Sequence, residues 1–247
     1  MRVRRIFQAS GRFRLAQKCS NTRSMSAPPS APRLPLSGLK LVELGHYIAA
    51  PFATRLLADL GAEVIKVEPP GGDPVRGWGS NINGNAVWFS VHGRNKLSVT
   101  LDLKKPDDRA KLIALLRRAD GLIENFRAGY LERVGLGPDV LHGENPRLVI
   151  GRISGYGQDG PYKDKPAFGA IGEAMGGLRH LTGHPGEQGL PPPRCGVSIS
   201  DDLAGIYCAL AVVSACWAVK GDPNAKGRVV DVDLVSSVFS LMEGMLP

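Results

Sequence analysis

The sequence predicts an α/β fold with a mostly parallel sheet and flanking helices, because β-rich runs alternate with helical runs, the joints between them are short, and no repeat of fixed period competes. Leu39–Leu44 alternates weakly and suits a strand, Ala50–Leu60 suits a helix stopped by Gly61, and Ala62–Glu68 reads as a second strand. A third strand is expected at Leu97–Asp102. The helix after it runs from Pro106, a residue suited to a first helical turn, to about Arg118, with Ile113, Leu115 and Leu116 able to face inward. Gly121–Phe126 and Leu148–Ile153 supply two more strands. Gly155–Pro161 is turn-rich, Ile171–Leu181 reads as a helix despite Gly176 and Gly177, and Gly183–Pro193 reads as a loop. Ser200 and Asp201 can cap an apolar helix from about Asp202 to Val219. Arg228–Val238 gives a last strand entering a helix, and the chain stops at Pro247 with a new apolar segment under way, as a truncated domain would.

At 247 residues, 43% apolar and 22% charged, the chain can bury a sizeable core. A net charge of +8 would ordinarily raise nucleic-acid or anionic-membrane binding, but the charge is concentrated at the front. Residues 1–42 hold nine Lys or Arg and no acid, which leaves 22 basic against 23 acidic residues in the rest. The body is near neutral, so neither nucleic acid nor a membrane is an expected partner. Residues 1–33 are therefore assigned as a basic leader and linker, and residues 34–247 as the folded body. The leader is rich in Arg, contains Ser, and can form a basic amphipathic helix with Ile6, Phe7, Phe13 and Leu15, the pattern of a mitochondrial transit peptide. A basic tail on a cytoplasmic protein is the alternative. Cys19, Cys195, Cys208 and Cys216 show no CxxC pairing and read as reduced thiols. The uncharged run Leu203–Val219, 17 residues, is at the short limit for a membrane span and reads better as a buried helix.

The turn after the first strand is Gly45-His46-Tyr47-Ile48-Ala49-Ala50-Pro51, without the GxGxxG of dinucleotide-binding enzymes. P-loop, GxSxG and HExxH signatures are absent too. His180 and His184 are four apart, but Gly183 and Pro185 oppose a helix there, and no metal site is expected. Asp201 itself carries two readings, a helix cap or a reactive carboxylate.

Four ordered stretches then point to one family. They are Pro35–Leu39 with Ala50–Ala53 and Asp59–Glu68; Gly93–Ser98; Glu124–Phe126; and Ser154–Pro161. Together they resemble the class III coenzyme A transferases, which include formyl-CoA transferase and the carnitine-metabolising CoA transferases. The resemblance implies a Rossmann-like sheet that is incomplete relative to the family's interlocked-dimer fold, and a homodimer in the full-length form. In that family an aspartate closing a Gly-x-x-x-x-Asp stretch is the nucleophile, and Gly196–Asp201 matches it, with Asp202 as a neighbouring decoy. The implied reaction moves coenzyme A from an acyl-CoA to a carboxylic acid through a covalent aspartyl intermediate. A helix N-terminus is expected to favour the ionised carboxylate this needs.

For coenzyme A the resemblance implies Leu101, Lys104, Asn125, Phe126 and Arg133, with Lys104 and Arg133 suited to phosphates and Phe126 to the adenine. Pro69 and Ile48 depart from formyl-CoA transferase, which has an arginine and a glutamine there, so a different acyl group or coenzyme pose is implied. Many of the related α-methylacyl-CoA racemases carry an aspartate where this chain has Gly169, and Glu173, the nearest carboxylate, reads either as a substrate-orienting group or as a solvated helical residue. A racemase-like isomerase and a non-catalytic, truncated CoA-binding fragment are the alternative readings. A mitochondrial address would suit succinyl-CoA and a dicarboxylic acid.

Overall fold

The computed structural model describes residues 4–5, 33–183 and 189–245. A short strand β1 (Arg4–Arg5) precedes β2 (Lys40–Leu44), α1 (Ala49–Asp59) and β3 (Glu63–Glu68). A 3-10 turn at Pro74–Gly77 leads into a hairpin of β4 (Asn81–Ile82) and β5 (Asn85–Ala86), then α2 (Val87–Gly93) and β6 (Lys96–Thr100). Next come α3 (Pro106–Leu116), β7 (Gly121–Glu124), α4 (Tyr130–Arg133), α5 (Pro138–Glu144) and β8 (Val149–Ser154). The last part holds α6 (Gly169–Met175), α7 (Leu178–Leu181), α8 (Ile199–Gly221), β9 (Val229–Asp233) and α9 (Leu234–Phe239).

The main sheet has the order β1-β6-β3-β2-β7-β8-β9. The six strands from β6 to β9 are parallel, and β1 pairs antiparallel to the β6 edge. From β2 the chain winds outward through β3 and β6, then returns to the other side of β2 to build β7, β8 and β9. The winding direction therefore reverses between β2 and β7. In open parallel sheets a crevice forms outside the carboxyl ends of the strands at such a reversal, and ligands bind there.

Two apolar layers cover the sheet. On one face α1 and α8 supply Ala53, Leu57, Ala204, Cys208 and Val212 against Leu41, Val64 and Ile123. On the other, α3, α4 and α5 supply Leu112, Leu131 and Leu141 against Val42, Leu122 and Ile150. The chain keeps α1 and α8 close by leaving Gly205 bare, since a Cβ there would stand 2.9 Å from the Ala49 carbonyl oxygen. Helix α8 is long and apolar enough to cross a membrane by length and composition, but Ala204, Cys208, Val212, Cys216 and Val219 are buried in this protein core.

Several expectations are corrected. Helix α8 starts at Ile199 with Ser198 at the N-cap position, so Ser200 and Asp201 lie inside its first turn and are not caps. The helix expected over Ile171–Leu181 is two short ones, broken where Gly177 takes φ +90°. The β4–β5 hairpin and α2 were not anticipated, because Asn81–Ala86 offers two-residue strands with no room for alternation. The amphipathic helix expected around Ile6–Leu15 and His184 lie outside the described residues.

Candidate active site

At the sheet reversal, β2 runs through Gly45, His46 and Tyr47 into α1. The His46 backbone N–H donates to Asn125 Oδ1 at 2.9 Å, and Asn125 Nδ2 donates to the His46 carbonyl at 2.9 Å. One amide side chain thus ties the loop after β2 to the loop after β7, using both of its hydrogen-bonding ends.

A buried ionic cluster lies beneath this clasp. Glu43 accepts from Lys66 Nζ at 2.5 Å, Lys96 Nζ at 2.7 Å and Thr54 Oγ1 at 2.6 Å, while Lys66 also pairs with Asp73 at 2.7 Å. Glu43, Lys66, Lys96 and Asp73 are all at most 2% exposed. Burial opposes the Glu43 charge, but the two ammonium groups override it and bring its pKa down to about 2. Lys96 is pushed down to about 8, chiefly by burial. Such a cluster fixes the strand ends rigidly, because removal of one member leaves an unpaired buried charge.

The other face carries a second network. Arg152 Nε meets Glu124 at 2.8 Å and its Nη1 meets Glu132 at 2.6 Å, while the second Glu124 oxygen accepts the Phe126 N–H at 2.6 Å. These contacts anchor both ends of the segment from Asn125 to Arg133. Phe126 packs on Tyr130 with ring centroids 4.5 Å apart, and Arg133 is exposed on α4 with its guanidinium 6.0 Å from the Tyr130 ring. Leu101 is 3% exposed and belongs to the same apolar layer that Phe126 packs against, so its side chain is core and only its backbone can meet a ligand. Lys104 is exposed on the loop after β6. Of the five residues expected to meet the coenzyme, Asn125, Phe126 and Arg133 share one anchored segment, with Leu101 beside it and Lys104 just beyond β6.

Asp201 lies on the α1–α8 face, at the α8 end that opens toward the strands' carboxyl edge. Its position is set by α6, whose bare face meets the first turn of α8. A Cβ at Gly169 would stand closer to Asp201 Oδ2 than van der Waals contact allows, and one at Gly172 would collide with Ser200. Ser200 is buried and donates to the Leu234 carbonyl at 3.1 Å. Asp201 is pushed up to about 6 by burial first, with Asp202 and Glu173 adding to the rise and its own backbone N–H and Arg194 opposing it. The expectation that the helix start would favour the charged form is therefore outweighed by desolvation, although at pH 7 about nine molecules in ten still carry the carboxylate.

Glu173 is not solvated, as the sequence suggested, but fully buried. It pairs with Arg194 at 3.3 Å and Arg179 at 3.8 Å and accepts the Cys195 N–H at 3.2 Å. Beside Gly169, Phe168 is 66% exposed and packs on Tyr47, which in turn packs on Trp78, at ring distances of 6.4 and 5.2 Å. Tyr47 holds φ +60°, an uncommon conformation for a bulky residue. A shallow cavity of about 280 Å³ lined by Lys40, Glu63, Leu115 and Arg118 opens at the amino ends of β2 and β3, away from these groups. Asp201 and the segment after β7 both lie toward the carboxyl edge where the winding reverses, on opposite faces of the sheet. Among the described residues no cluster of three or more His, Cys, Asp or Glu could hold a metal ion.

The sequence profile of CoA-transferase family III matches residues 36–247. The chain belongs to CoA-transferase family III. Succinyl-CoA–D-citramalate CoA-transferase of Chloroflexus aurantiacus is 48% identical over 218 residues, which cover 87% of this chain and 53% of that protein. Succinyl-CoA:glutarate CoA-transferase of Mus musculus is 37% identical over 205 residues, covering 82% and 46%. Among solved structures, a CAIB/BAIF family protein from Brucella suis superposes with a TM-score of 0.79 at 35% identity, covering 85% of this chain and 56% of that one. The chain spans about half the length of the curated relatives it matches. Family III membership accords with the parallel α/β sheet and the order of the motifs. Arg194, the Tyr47–Phe168 pair and the Glu43 cluster were not singled out as site residues from the sequence, because each depends on contacts between distant segments.

Proposed function

We propose that this chain carries the nucleophilic half of a CoA-transferase that moves coenzyme A from an acyl-CoA to a carboxylic acid through Asp201. The Asp201 carboxylate attacks the thioester carbonyl and expels the CoA thiolate, leaving an acyl-aspartyl anhydride. The thiolate then attacks the aspartyl carbonyl of that anhydride, forming an aspartyl-CoA thioester and freeing the donor acid. The acceptor carboxylate displaces the thiolate to make a new anhydride, and thiolate attack on the acceptor acyl carbon yields the product and restores Asp201. No proton is gained or lost over the cycle. Lys104 and Arg133 would pair with the coenzyme's phosphates and Phe126 would face its adenine, on the segment that Glu124 and Arg152 hold in place.

The observation that carries this reading is the placement of Asp201. It is part of the first turn of α8 yet serves as no cap, and the neighbouring α6 gives up its side chain at Gly169 to leave the carboxylate its place. The racemase reading is disfavoured because position 169 is glycine and supplies no base there. The relatives' names make succinyl-CoA and dicarboxylic acids the first substrates to try. The protein is incubated with succinyl-CoA and treated with hydroxylamine, and mass spectrometry then reads Asp201. A hydroxamate there is expected. Turnover without modification at Asp201 would sink the mechanism. A homodimer and a mitochondrial address for the leader belong to the same proposal; light scattering tests the first, and the location of a fluorescent protein fused to residues 1–33 the second.

A further inference from the structure

Asp201 stands between two unlike neighbourhoods. On one side is the exposed Phe168, next to Gly169, with the Tyr47 ring edge-on to it and the Trp78 ring tilted against Tyr47. On the other is a cation whose position is fixed from below. Glu173 lies four residues after Gly169 on α6, on the same helical face as the position that abuts the Asp201 carboxylate. It is fully buried, and it holds Arg194 at 3.3 Å while its other oxygen takes the Cys195 N–H at 3.2 Å. The Arg194 side chain is nevertheless 56% exposed, whereas Arg179, the second cation on Glu173, is 25% exposed. Burying a carboxylate to hold a half-exposed arginine is costly for stability alone. The arrangement makes sense as a tether that keeps one edge of a guanidinium fixed and leaves its other donors open. The fork of donors matches a carboxylate in two-point contact.

We propose that Arg194 reads the distal carboxylate of a dicarboxylic acyl group, or of a dicarboxylic acceptor, while its other end is joined to Asp201. This rests on the transfer reading above and deepens it: the aromatic side accepts the methylene chain, and the tethered arginine selects a second carboxylate over a methyl end. Glu173 is then a positioning residue that acts through Arg194.

The test compares succinyl-CoA with butyryl-CoA, which has the same chain length and a methyl group in place of the distal carboxylate. kcat/KM and the Asp201 hydroxamate yield are measured for the full chain and for Arg194→Met and Arg194→Lys. Loss of a charge-assisted contact should lower kcat/KM for succinyl-CoA by about 10- to 100-fold in R194M, with butyryl-CoA changed less than about threefold and R194K intermediate. Equal losses on both substrates would assign Arg194 a purely structural role, and no loss on succinyl-CoA would overturn the proposal outright. If the unsubstituted protein prefers butyryl-CoA, the Arg194 assignment falls while transfer stands. If it modifies Asp201 with neither thioester, the transfer reading falls and this inference with it.

Discussion

Replacing Gly169 by alanine separates the placement of Asp201, the proposed nucleophile, from the stability of the fold. The added Cβ would overlap Asp201 Oδ2, whereas the nearest other atoms, Asp201 Cγ and Ser200 Cβ, are 3.3 and 3.9 Å away. To recover an ordinary contact the carboxylate has to swing by about 1 Å, and it can do so because it is the free end of a side chain. Stability should therefore change by less than about 1 kcal/mol, the clash being offset by alanine's better helix propensity. Activity should not be spared, because a displacement of about 1 Å at a reacting group costs on the order of 100-fold. A matched control is Gly143→Ala on α5, where a Cβ meets nothing within 4 Å and a gain of about 0.5–1 kcal/mol is expected. kcat and hydroxamate yield at Asp201 are followed beside urea unfolding for both variants. A G169A protein that turns over at the unsubstituted rate, with the hydroxamate still at Asp201, would refute the reasoning that bare α6 sets the carboxylate's position.

Other consequences can be checked in parallel. Because Asp201 is raised to about 6 and the proposed mechanism uses its carboxylate form, kcat/KM for the acyl-CoA should rise with pH through that value, about tenfold from pH 5 to pH 7, and a profile flat over this range would contradict it. Lys96→Met removes one of the two ammonium partners of Glu43 and should cost about 3–5 kcal/mol in urea unfolding, against near-zero loss if the cluster were solvated. Glu43 lies near 2 when folded, below its ordinary 4.5, so its stabilisation is complete above pH 4.5 and fades as pH falls toward 2. The acid-unfolding midpoint of K96M should accordingly move upward. Arg152→Met frees both Glu124 and Glu132 and should weaken coenzyme A binding by about tenfold in calorimetry through loss of order at Phe126; unchanged affinity would remove that segment from the coenzyme site.

The six parallel strands were legible because each is short, β-rich and bounded by Gly, Pro or charged joints. Val149–Ser154 and Glu63–Glu68 lie within a residue of the β-rich runs Leu148–Ile153 and Ala62–Glu68. Asp201 was legible as a candidate nucleophile through the family resemblance alone, since locally a Ser-Asp pair before an apolar run looks like a cap, whereas the helix begins at Ile199. The burial of Glu173 was not legible for a related reason: a single acid on a short helix carries no local sign of burial, and its partners Arg194 and Cys195 lie some twenty residues on. Glu43, Lys66 and Lys96 look like the polar half of amphipathic strands. Their pairing across 23 and 53 residues is a property of the parallel register alone.

The amide of Asn125 has a bearing on how far this site can drift. Both of its ends are occupied by the His46 backbone, one as donor and one as acceptor. Aspartate would set a negative oxygen against a carbonyl, leucine would leave two backbone groups unsatisfied, and glutamine would reach too far to fit the gap between the loops. Phe126 beside it is held through its own backbone N–H by Glu124, so its side chain is not what anchors it. If Phe126 meets the coenzyme as proposed, variation in ligand preference among descendants of this chain should therefore accumulate at position 126 and not at 125, with the clasp acting as a fixed pin around which the neighbouring surface can be rewritten.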